Sequence, residues 1–352
     1  MINLHVLTSG FTTPNGCAFL YPIYKFSSYL KKNGIKIKIF KTVSRSILDC
    51  DIICVDSKFY KRFWLNSKKT IFDDLERFSK RRLFFFDTTD SSSWIQTEVL
   101  PYVDYYCKSQ IFKDLNLYKK PLYGNRIYSD YFNKKFNIKD NDESISIPIP
   151  EKYLNKIKVS WNSGLADYSL FGPLRMYLMN YIKPSFLMNK LKAESVLRKR
   201  TNNFHCKMGV NYSKDSISCQ RKLIKKILNI EAKKLNRIQY YNDLKNSKIV
   251  ISPFGWGEIT LKDFETFLTG GILMKPKMNH LKTWPNFFTN DTYVNFNWDA
   301  SNLTKKIESI ISDYNTFVKI GINGQKNYLK FIDNINSPKL FYKHLNSIIN
   351  LP

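Results

Sequence analysis

The sequence predicts an α/β protein with two doubly wound domains that face a common cleft. Two observations predict this class. Short apolar runs alternate with amphipathic helical stretches, and the alternation is interrupted once before it resumes. The interruption begins with the polar, proline-containing stretch "NIKDNDESISIPIPEKY" at 137–153. Because strands that alternate with helices pair in parallel through right-handed crossovers, each half is expected to form its own parallel sheet.

The first half, residues 1–195, is expected to form a Rossmann-like domain. Its predicted strands are "NLHVLTSG", "IKIKIF", "CDIICVD", "RLFFFDTTD" and "YVDYYCKS". The loop "FTTPNGC" follows the first strand and contains the turn formers proline and Asn-Gly, and the helix "AFLYPIYKFSSYLKKNG" comes next. The aromatic and Met-rich stretch at 167–191 is interpreted as core.

The second half, residues 196–335, is expected to form a second Rossmann-like domain. Its strands are predicted at "NNFHCKMGV", "KIVISPF", "GGILMKP" and "TYVNFN". The final helix, within 336–352, is expected to cross back to the first domain.

Composition indicates a folded protein with a strongly basic charge. The chain has 352 residues, of which 43% are hydrophobic, and its net charge is +27. Such a charge suits anionic partners: nucleic acid, acidic lipid surfaces or phosphorylated small molecules. The basic clusters are dispersed and no helix-turn-helix or zinc-finger spacing occurs, so a nucleic-acid partner is not favoured. The charge leaves open whether the chain contacts an anionic membrane or carries a Lys-rich compositional bias.

The other compositional signals predict a cytoplasmic protein without a metal site. The six cysteines form no CxxC pair, which is typical of free thiols in a reducing compartment. The four histidines form no HExxH motif. No apolar run approaches the roughly 18 residues of a membrane span, and the first residues do not have the pattern of a signal peptide.

The stretch "SPFGWGEITLKDFETFLTGG" at 252–271 carries the strongest functional signal. It follows a predicted strand, so it lies at the carboxyl edge of a parallel sheet, where open α/β folds bind ligands. Gly255 and Gly257 allow positive φ and close backbone approach. The helix after Thr260 aims its free N–H groups at the crevice, which suits a phosphate, and Asp263 and Glu265 are placed to accept hydrogen bonds from sugar hydroxyls. An ordinary strand–turn–helix with tight turns at its glycines is the alternative.

This order of parts resembles the donor-nucleotide segment of GT-B glycosyltransferases, in particular exostosin-like and bacterial surface-polysaccharide transferases. The resemblance covers about 202–333, and the first half agrees only in architecture. It implies a nucleotide-sugar donor, no required metal or other cofactor, and a glycan or lipid-linked acceptor. It places the ribose-binding Glu at Glu265 and adds Glu258 to the donor loop. Thr266 and the Gly270–Gly271 pair depart from the usual pattern, so donor identity and stereochemistry stay open.

The predicted function is therefore a glycosyltransferase of surface-polysaccharide or lipopolysaccharide synthesis, acting in the cytoplasm with a peripheral position at the inner face of the membrane. Two alternatives remain: a basic nucleic-acid-binding protein, and a non-catalytic relative of the same fold that serves as a scaffold.

Six further residues complete the predicted site. Arg221 is the preferred phosphate ligand, and His280 either faces the donor sugar or lies on the surface. Asp87 and Asp90 end a buried strand. Asp90 is the candidate base that takes the acceptor's proton, whereas Asp87 is interpreted as a structural acceptor of backbone N–H groups. Capping of the next helix is the alternative for both. The loop at 12–16, with Asn15 and Gly16, is expected to line the acceptor side of the cleft.

Overall fold

The computed structural model describes residues 1–231 and 235–351. Its strands are β1 (Ile2–Leu7), β2 (Ile35–Phe40), β3 (Ile52–Asp56), β4 (Arg82–Asp87), β5 (Tyr105–Lys108), β6 (Gln110–Phe112), β7 (Ile157–Val159), β8 (Asn202–His205), β9 (Ser247–Ile251), β10 (Ile272–Pro276), β11 (Leu281–Thr283) and β12 (Val294–Phe296). Its α-helices are α1 (Pro14–Lys25), α2 (Ser27–Lys32), α3 (Phe63–Asn66), α4 (Lys68–Phe78), α5 (Ile127–Phe136), α6 (Glu151–Leu154), α7 (Gly172–Leu178), α8 (Pro184–Leu187), α9 (Asp215–Ile227), α10 (Arg237–Asn246), α11 (Leu261–Thr269), α12 (Leu303–Ser312), α13 (Tyr314–Ile332) and α14 (Ser337–Ile349). None of these helices is long and apolar enough to cross a membrane.

The first half contains a six-stranded parallel sheet in the order β2-β1-β3-β4-β5-β7. The strand order reverses at β1, which is the doubly wound arrangement. β3 is buried along its whole length, as expected of a parallel strand that is covered on both faces. One face of the sheet packs against α1, α2 and α14, and the other packs against α4.

The second half contains a four-stranded parallel sheet in the order β12-β10-β9-β8. Helices cover both faces. Ile249 and Ile251 of β9 share a core with α9 and α12, whereas Val250 between them packs on α10. The predicted α/β class with two parallel sheets is confirmed. The second sheet differs in detail, because its strands follow sequence order without a reversal.

The final helix, α14, returns to the first half, as predicted. The ring of Phe341 lies 5.4 Å from that of Phe26 and 5.3 Å from that of Trp161, centroid to centroid. Arg82 of β4 donates hydrogen bonds to the carbonyls of Ile349 and Leu351 at the end of the chain. The domain boundaries at 195 and 335 stay predictions, and the last residue of the 336–352 segment lies outside the described residues.

Backbone pairing joins the two halves directly. β6, from the first half, pairs in antiparallel fashion with β11, from the second, and the Lys113 N–H extends this ladder to the His280 carbonyl. The cleft between the carboxyl edges of the two sheets lies beside this ladder.

Two local predictions were wrong. The first helix begins at Pro14, not after the Asn-Gly pair, because proline suits the first helical position and Thr13 caps the helix by accepting from the Gly16 N–H at 3.1 Å. The stretch at 167–191 is only half core. Met176 and Met179 are buried, but Phe171 and five further large apolar side chains are exposed.

Candidate active site

A cavity of about 280 Å³ lies between the two sheets at their carboxyl edges. Both halves contribute to its walls. The predicted site residues that line it are Asn15, Asp87, Asp90, Arg221, Gly255 and Gly257. The aromatic side chains that line it are Phe19, Trp161, Tyr212 and Trp256. Six of the eleven site residues predicted from the sequence therefore line one cavity.

The glycine loop after β9 connects the two walls of this cavity. A Cβ on Gly257 would lie 2.1 Å from the carbonyl oxygen of Asp90, and one on Gly255 would lie 3.0 Å from Nη2 of Arg221. Any larger residue at 257 would displace the backbone of the first half. Neither glycine has a positive φ, so that part of the prediction was wrong. The glycines permit close approach and do not provide a left-handed turn.

Arg221 is a partly buried cation on the second-half wall. Its Nε donates to the Phe254 carbonyl at 2.6 Å and its Nη1 to the Gly209 carbonyl at 3.0 Å. Among the described residues, no carboxylate forms an ion pair with it. Burial lowers the pKa of the guanidinium, but an arginine stays protonated. The guanidinium lies 5.0 Å from the ring centroid of Tyr212.

A second cation, Lys262, lies near Arg221 in the first turn of α11. Its Nζ donates to the Lys207 carbonyl at 2.5 Å. Burial, assisted by the charge on Arg221, lowers the pKa of Lys262 to about 8. Within the described part of the chain, this lysine has no acidic partner either. In contrast, Lys222 is exposed and pairs with Asp215 at 2.6 Å. Two neighbouring cations that repel each other and form no ion pair suit an anionic ligand.

Asp90 is an exposed carboxylate on the first-half wall. Asn15 Nδ2 donates to its Oδ1 at 2.8 Å, and Gln110 donates to its backbone carbonyl. Oδ2 accepts no hydrogen bond from any residue that the structure describes. Asn15 thus orients the carboxylate and leaves one oxygen open to the cleft.

Asp87 is fully buried and fully hydrogen-bonded. It accepts from Lys108 Nζ at 2.6 Å, from the Tyr106 hydroxyl at 2.7 Å and from the Thr89 N–H at 2.8 Å. Burial raises the pKa of Asp87, but Lys108 and these hydrogen bonds outweigh it and hold the pKa below its usual value. The contacts support the structural interpretation of Asp87 and do not support a catalytic one.

Glu258 and Asp263 lie outside the cleft, and buried partners occupy both carboxylates. Glu258 accepts from the N–H and the hydroxyl of Ser92, at 3.0 and 2.6 Å, and so links the two halves. Asp263 forms the capping box of α11 with Thr260 and pairs with Lys275 Nζ at 3.0 Å. Neither carboxylate is placed to contact a donor.

Glu265 faces α10 and not the cleft. Its side chain is 5% exposed, pairs with Arg237 Nη1 at 2.5 Å and accepts from the Tyr240 hydroxyl at 2.8 Å. Both oxygens therefore have partners within the second half. The ribose role that the resemblance implied stays a prediction, and these contacts do not support it.

His280 and Gly16 also lie outside the cleft. The ring of His280 packs 5.1 Å from that of Trp298, and neither ring nitrogen has a hydrogen-bond partner among the described residues. Burial lowers the pKa of His280, which favours the neutral imidazole. Gly16 is in the first turn of α1, where a Cβ would lie 3.2 Å from the Gly10 carbonyl.

A second, larger cavity of about 720 Å³ adjoins the cleft on the first half and was not predicted. Thr89 lines both cavities. We call this cavity the first-half groove. Its aromatic and apolar lining includes Trp64, Leu65, Trp94, Ile145 and Ile147, and its cationic lining is Lys58, Lys61, Lys68 and Lys120. The segment "FYKRFWLNSKK" combines aromatic and basic residues, but its sequence pattern does not show that 145–149 folds against it.

No group of three or more His, Cys, Asp or Glu side chains within residues 1–231 and 235–351 is arranged to hold a metal ion. The expectation that no metal is required stays a prediction.

Among the comparisons with known proteins, only the one with solved structures finds similar chains. No family model and no curated protein matches the chain. Among solved structures, it is similar to Anabaena HepE in complex with UDP-glucose, with 9% identity, all of both chains covered and a TM-score of 0.45. It is similar to a glycosyltransferase from Rickettsia africae, with 12% identity, 99% of this chain and 97% of that chain covered and a TM-score of 0.43. It is also similar to S. aureus MnaA with UDP, with 10% identity, 100% and 98% covered and a TM-score of 0.40. At TM-scores below 0.5, the function rests on the site itself.

Proposed function

We propose that the protein is a glycosyltransferase that binds a nucleotide-sugar donor in the cleft and transfers the sugar to an acceptor hydroxyl. One observation carries this proposal. The cleft brings a partly free carboxylate, Asp90, and a guanidinium without an acidic partner, Arg221, against the same glycine loop from opposite walls.

The second-half wall suits the nucleotide diphosphate. Arg221 supplies a positive charge on this wall, and Lys262, which lies near Arg221 without lining the cavity, adds to it; neither forms an ion pair among the described residues. Tyr212 and Trp256 supply flat surfaces for a base or a sugar ring. Because these cations can stabilise the leaving diphosphate, we propose that the reaction needs no metal. Activity that is retained in a chelator is the expected result.

The first-half wall suits proton transfer. In an inverting reaction, the Asp90 carboxylate takes the proton of the acceptor hydroxyl as that oxygen bonds to the anomeric carbon of the donor sugar. The bond from this carbon to the diphosphate oxygen breaks, and the nucleoside diphosphate leaves with the electron pair. A retaining reaction would use a carboxylate as nucleophile or the leaving phosphate as base.

The first-half groove is the proposed acceptor site. It opens beside Asp90 through Thr89, and it combines four lysines, of which Lys68 pairs with Glu98, with a large apolar lining. Such a lining suits an acceptor that carries both anionic and apolar groups, such as a lipid-linked glycan precursor. We therefore propose a role in the synthesis of a surface polysaccharide or lipopolysaccharide.

Donor binding is the test of this function. Thermal shift and calorimetry with UDP-, GDP- and CMP-sugars should identify one nucleotide that raises the melting temperature of the wild-type protein. Arg221→Gln should weaken its binding by about 10- to 150-fold, the equivalent of a charged hydrogen bond of about 1.5–3 kcal/mol. Lys222→Gln is the matched control, since Lys222 is the next residue and pairs with Asp215 outside the cleft.

Three outcomes separate the alternatives. Binding of random oligonucleotides without binding of any sugar nucleotide would support a nucleic-acid-binding protein. Sugar-nucleotide binding without turnover on any acceptor would support a scaffold. Equal losses in Arg221→Gln and Lys222→Gln would show that the cleft is not the donor site.

A further inference from the structure

The segment from 171 to 186 displays a dense cluster of exposed apolar side chains. Of the 19 large hydrophobic side chains that are exposed among the described residues, six lie within these 16 positions. They are Phe171 (49% exposed), Leu174 (57%), Tyr177 (48%), Tyr181 (74%), Ile182 (43%) and Phe186 (76%). We call these six residues the 171–186 surface. Such a concentration marks an interaction site, because single exposed apolar residues are ordinarily scattered.

The segment is held firmly from its inner side. Met176 and Met179 are buried in the core that α1 and α14 share. Arg175 pairs with the buried Asp167 at 2.6 Å, which fixes α7. A Cβ on Gly172 would lie 2.2 Å from the Asp167 carbonyl, so α7 lies close against this backbone. The outward apolar side chains are therefore a fixed feature of the fold.

The charged residues along this segment are exclusively basic. No Asp or Glu occurs between residues 168 and 193, whereas Lys183, Lys190 and Lys192 are present and exposed. Arg175 is the one other basic residue in this interval, and Asp167 neutralises it. Aromatic side chains with lysines beside them are the composition of segments that bind at the interface of anionic lipid bilayers.

A second copy of the chain is a poorer partner for this surface. Two copies would bring the same lysines together, and each copy already carries a net charge of +27. An anionic bilayer accepts both the aromatic side chains and the cations. We infer that the 171–186 surface docks the protein on an anionic membrane.

This surface lies next to the rim of the cleft. Asn180, which is within the segment, forms two hydrogen bonds to the backbone of Phe11. Its Oδ1 accepts from the Phe11 N–H at 2.9 Å, and its Nδ2 donates to the Phe11 carbonyl at 2.8 Å. Phe11 lies four residues before Asn15, and Asn15 donates a hydrogen bond to Asp90. Docking would therefore bring the acceptor side of the cleft close to the lipid surface, where a lipid-linked acceptor resides. This last step rests on the proposed function, but the docking itself does not.

Vesicle co-sedimentation of the full chain without donor tests the inference. Wild-type protein should sediment with vesicles of phosphatidylcholine and phosphatidylglycerol, and much less with phosphatidylcholine alone. Tyr181→Ser/Phe186→Ser should weaken binding to the anionic vesicles by at least about tenfold. Lys183→Gln/Lys190→Gln/Lys192→Gln should weaken it by about fivefold per lysine, and added salt should reduce wild-type binding.

The matched control is Ile238→Ser/Ile335→Ser, which removes two exposed apolar side chains elsewhere (55% and 93% exposed) and should keep wild-type binding. Equal binding to neutral and anionic vesicles, or an equal loss in this control, would overturn the inference. So would a change from dimer to monomer in Tyr181→Ser/Phe186→Ser on size-exclusion chromatography, since the surface would then join two copies. Donor-induced thermal shifts of the same variants report on the proposed function separately.

Discussion

The two walls of the cleft differ in how their charges are compensated. In the first half, Asp56 and Asp87 end neighbouring strands, and both are buried among hydrogen-bond donors, with Asp87 lining the cleft. In the second half, Arg221 on the wall and Lys262 near it donate to backbone carbonyls, and neither forms an ion pair among the described residues. The buried acids are thus part of the architecture, whereas the cations retain charge for a ligand.

The same contrast separates two acids on one wall. Asp87 and Asp90 are three residues apart, yet Asp87 has partners on both oxygens and Asp90 has one partner, Asn15. A carboxylate with a free oxygen at a cleft can take a proton from a substrate, and a saturated one cannot without losing its partners. A free carboxylate oxygen therefore distinguishes the candidate base, Asp90, from the structural acid, Asp87.

The largest effect is expected for Asp90→Asn. Asparagine keeps the shape of the side chain but cannot accept the acceptor's proton, so turnover should fall by about 10²- to 10⁴-fold. Donor affinity and melting temperature should stay at wild-type values. The measurement is steady-state turnover with both donor and acceptor present, beside a thermal melt. Asp73→Asn is the control, since that exposed residue of α4 lines neither cavity. Near-normal turnover would remove Asp90 from the mechanism.

The next largest effect is expected on stability, from the pair between Asp87 and Lys108. Lys108→Met leaves the Asp87 carboxylate buried without its cation, which should lower the free energy of unfolding by about 3–5 kcal/mol. Urea denaturation measures this loss. Lys222→Met, which breaks an exposed pair, should cost less than about 1 kcal/mol. A comparable loss in both variants would mean that Asp87 does not depend on Lys108.

This variant also has a defined pH dependence. In the wild type, the pKa of Asp87 is held below its usual value, so its charged form stabilises the fold above about pH 4. That contribution is lost as the pH falls through the folded-state pKa. Without Lys108, the carboxyl is protonated more readily, so the difference in stability between wild type and variant should shrink in acid.

The smallest effect is expected for Glu265→Gln. If Glu265 serves the contact between α10 and α11, donor affinity should change by less than about twofold, the size of a neutral substitution. The loss of charge opposite Arg237 should appear in the melting temperature instead. A ribose contact would weaken donor binding by about 1.5–3 kcal/mol, and calorimetry of this one variant distinguishes the two roles.

The sequence predicted the sheets and the edge where the site lies because both depend on local patterns. Apolar runs such as "RLFFFD" are typical of buried parallel strands, and the residues after them necessarily lie at the carboxyl edge. Asp90 and the two glycines of the donor loop were predicted to lie in the cleft by this rule. Arg221 lies within α9 and was chosen for its charge, because a diphosphate needs a cation.

The hydrogen-bond and ion-pair partners of the buried carboxylates could not be predicted from the sequence. Glu265 and Arg237 are 28 residues apart, and Glu258 and Ser92 are 166 apart. No sequence periodicity connects such distant pairs. Glu265 and Glu258 were therefore predicted to bind the donor, although both carboxylates have partners within the protein. The 167–191 stretch was interpreted as core for a related reason: apolar composition does not show which side chains face inward. Met176 lies inside and Phe171 outside.

The backbone ladder between β6 and β11 also limits how the molecule can exchange its ligands. A hinge motion that separated the two halves would break this ladder and the buried contact between Glu258 and Ser92. The two halves are therefore expected to move as one rigid unit through the catalytic cycle. Entry and release would then depend on the side chains at the mouth, among them Trp256, which is 40% exposed and lies under the guanidinium of Arg126. A single aromatic side chain reorients far faster than a domain moves, so ligand exchange would not have to wait for the two halves to separate.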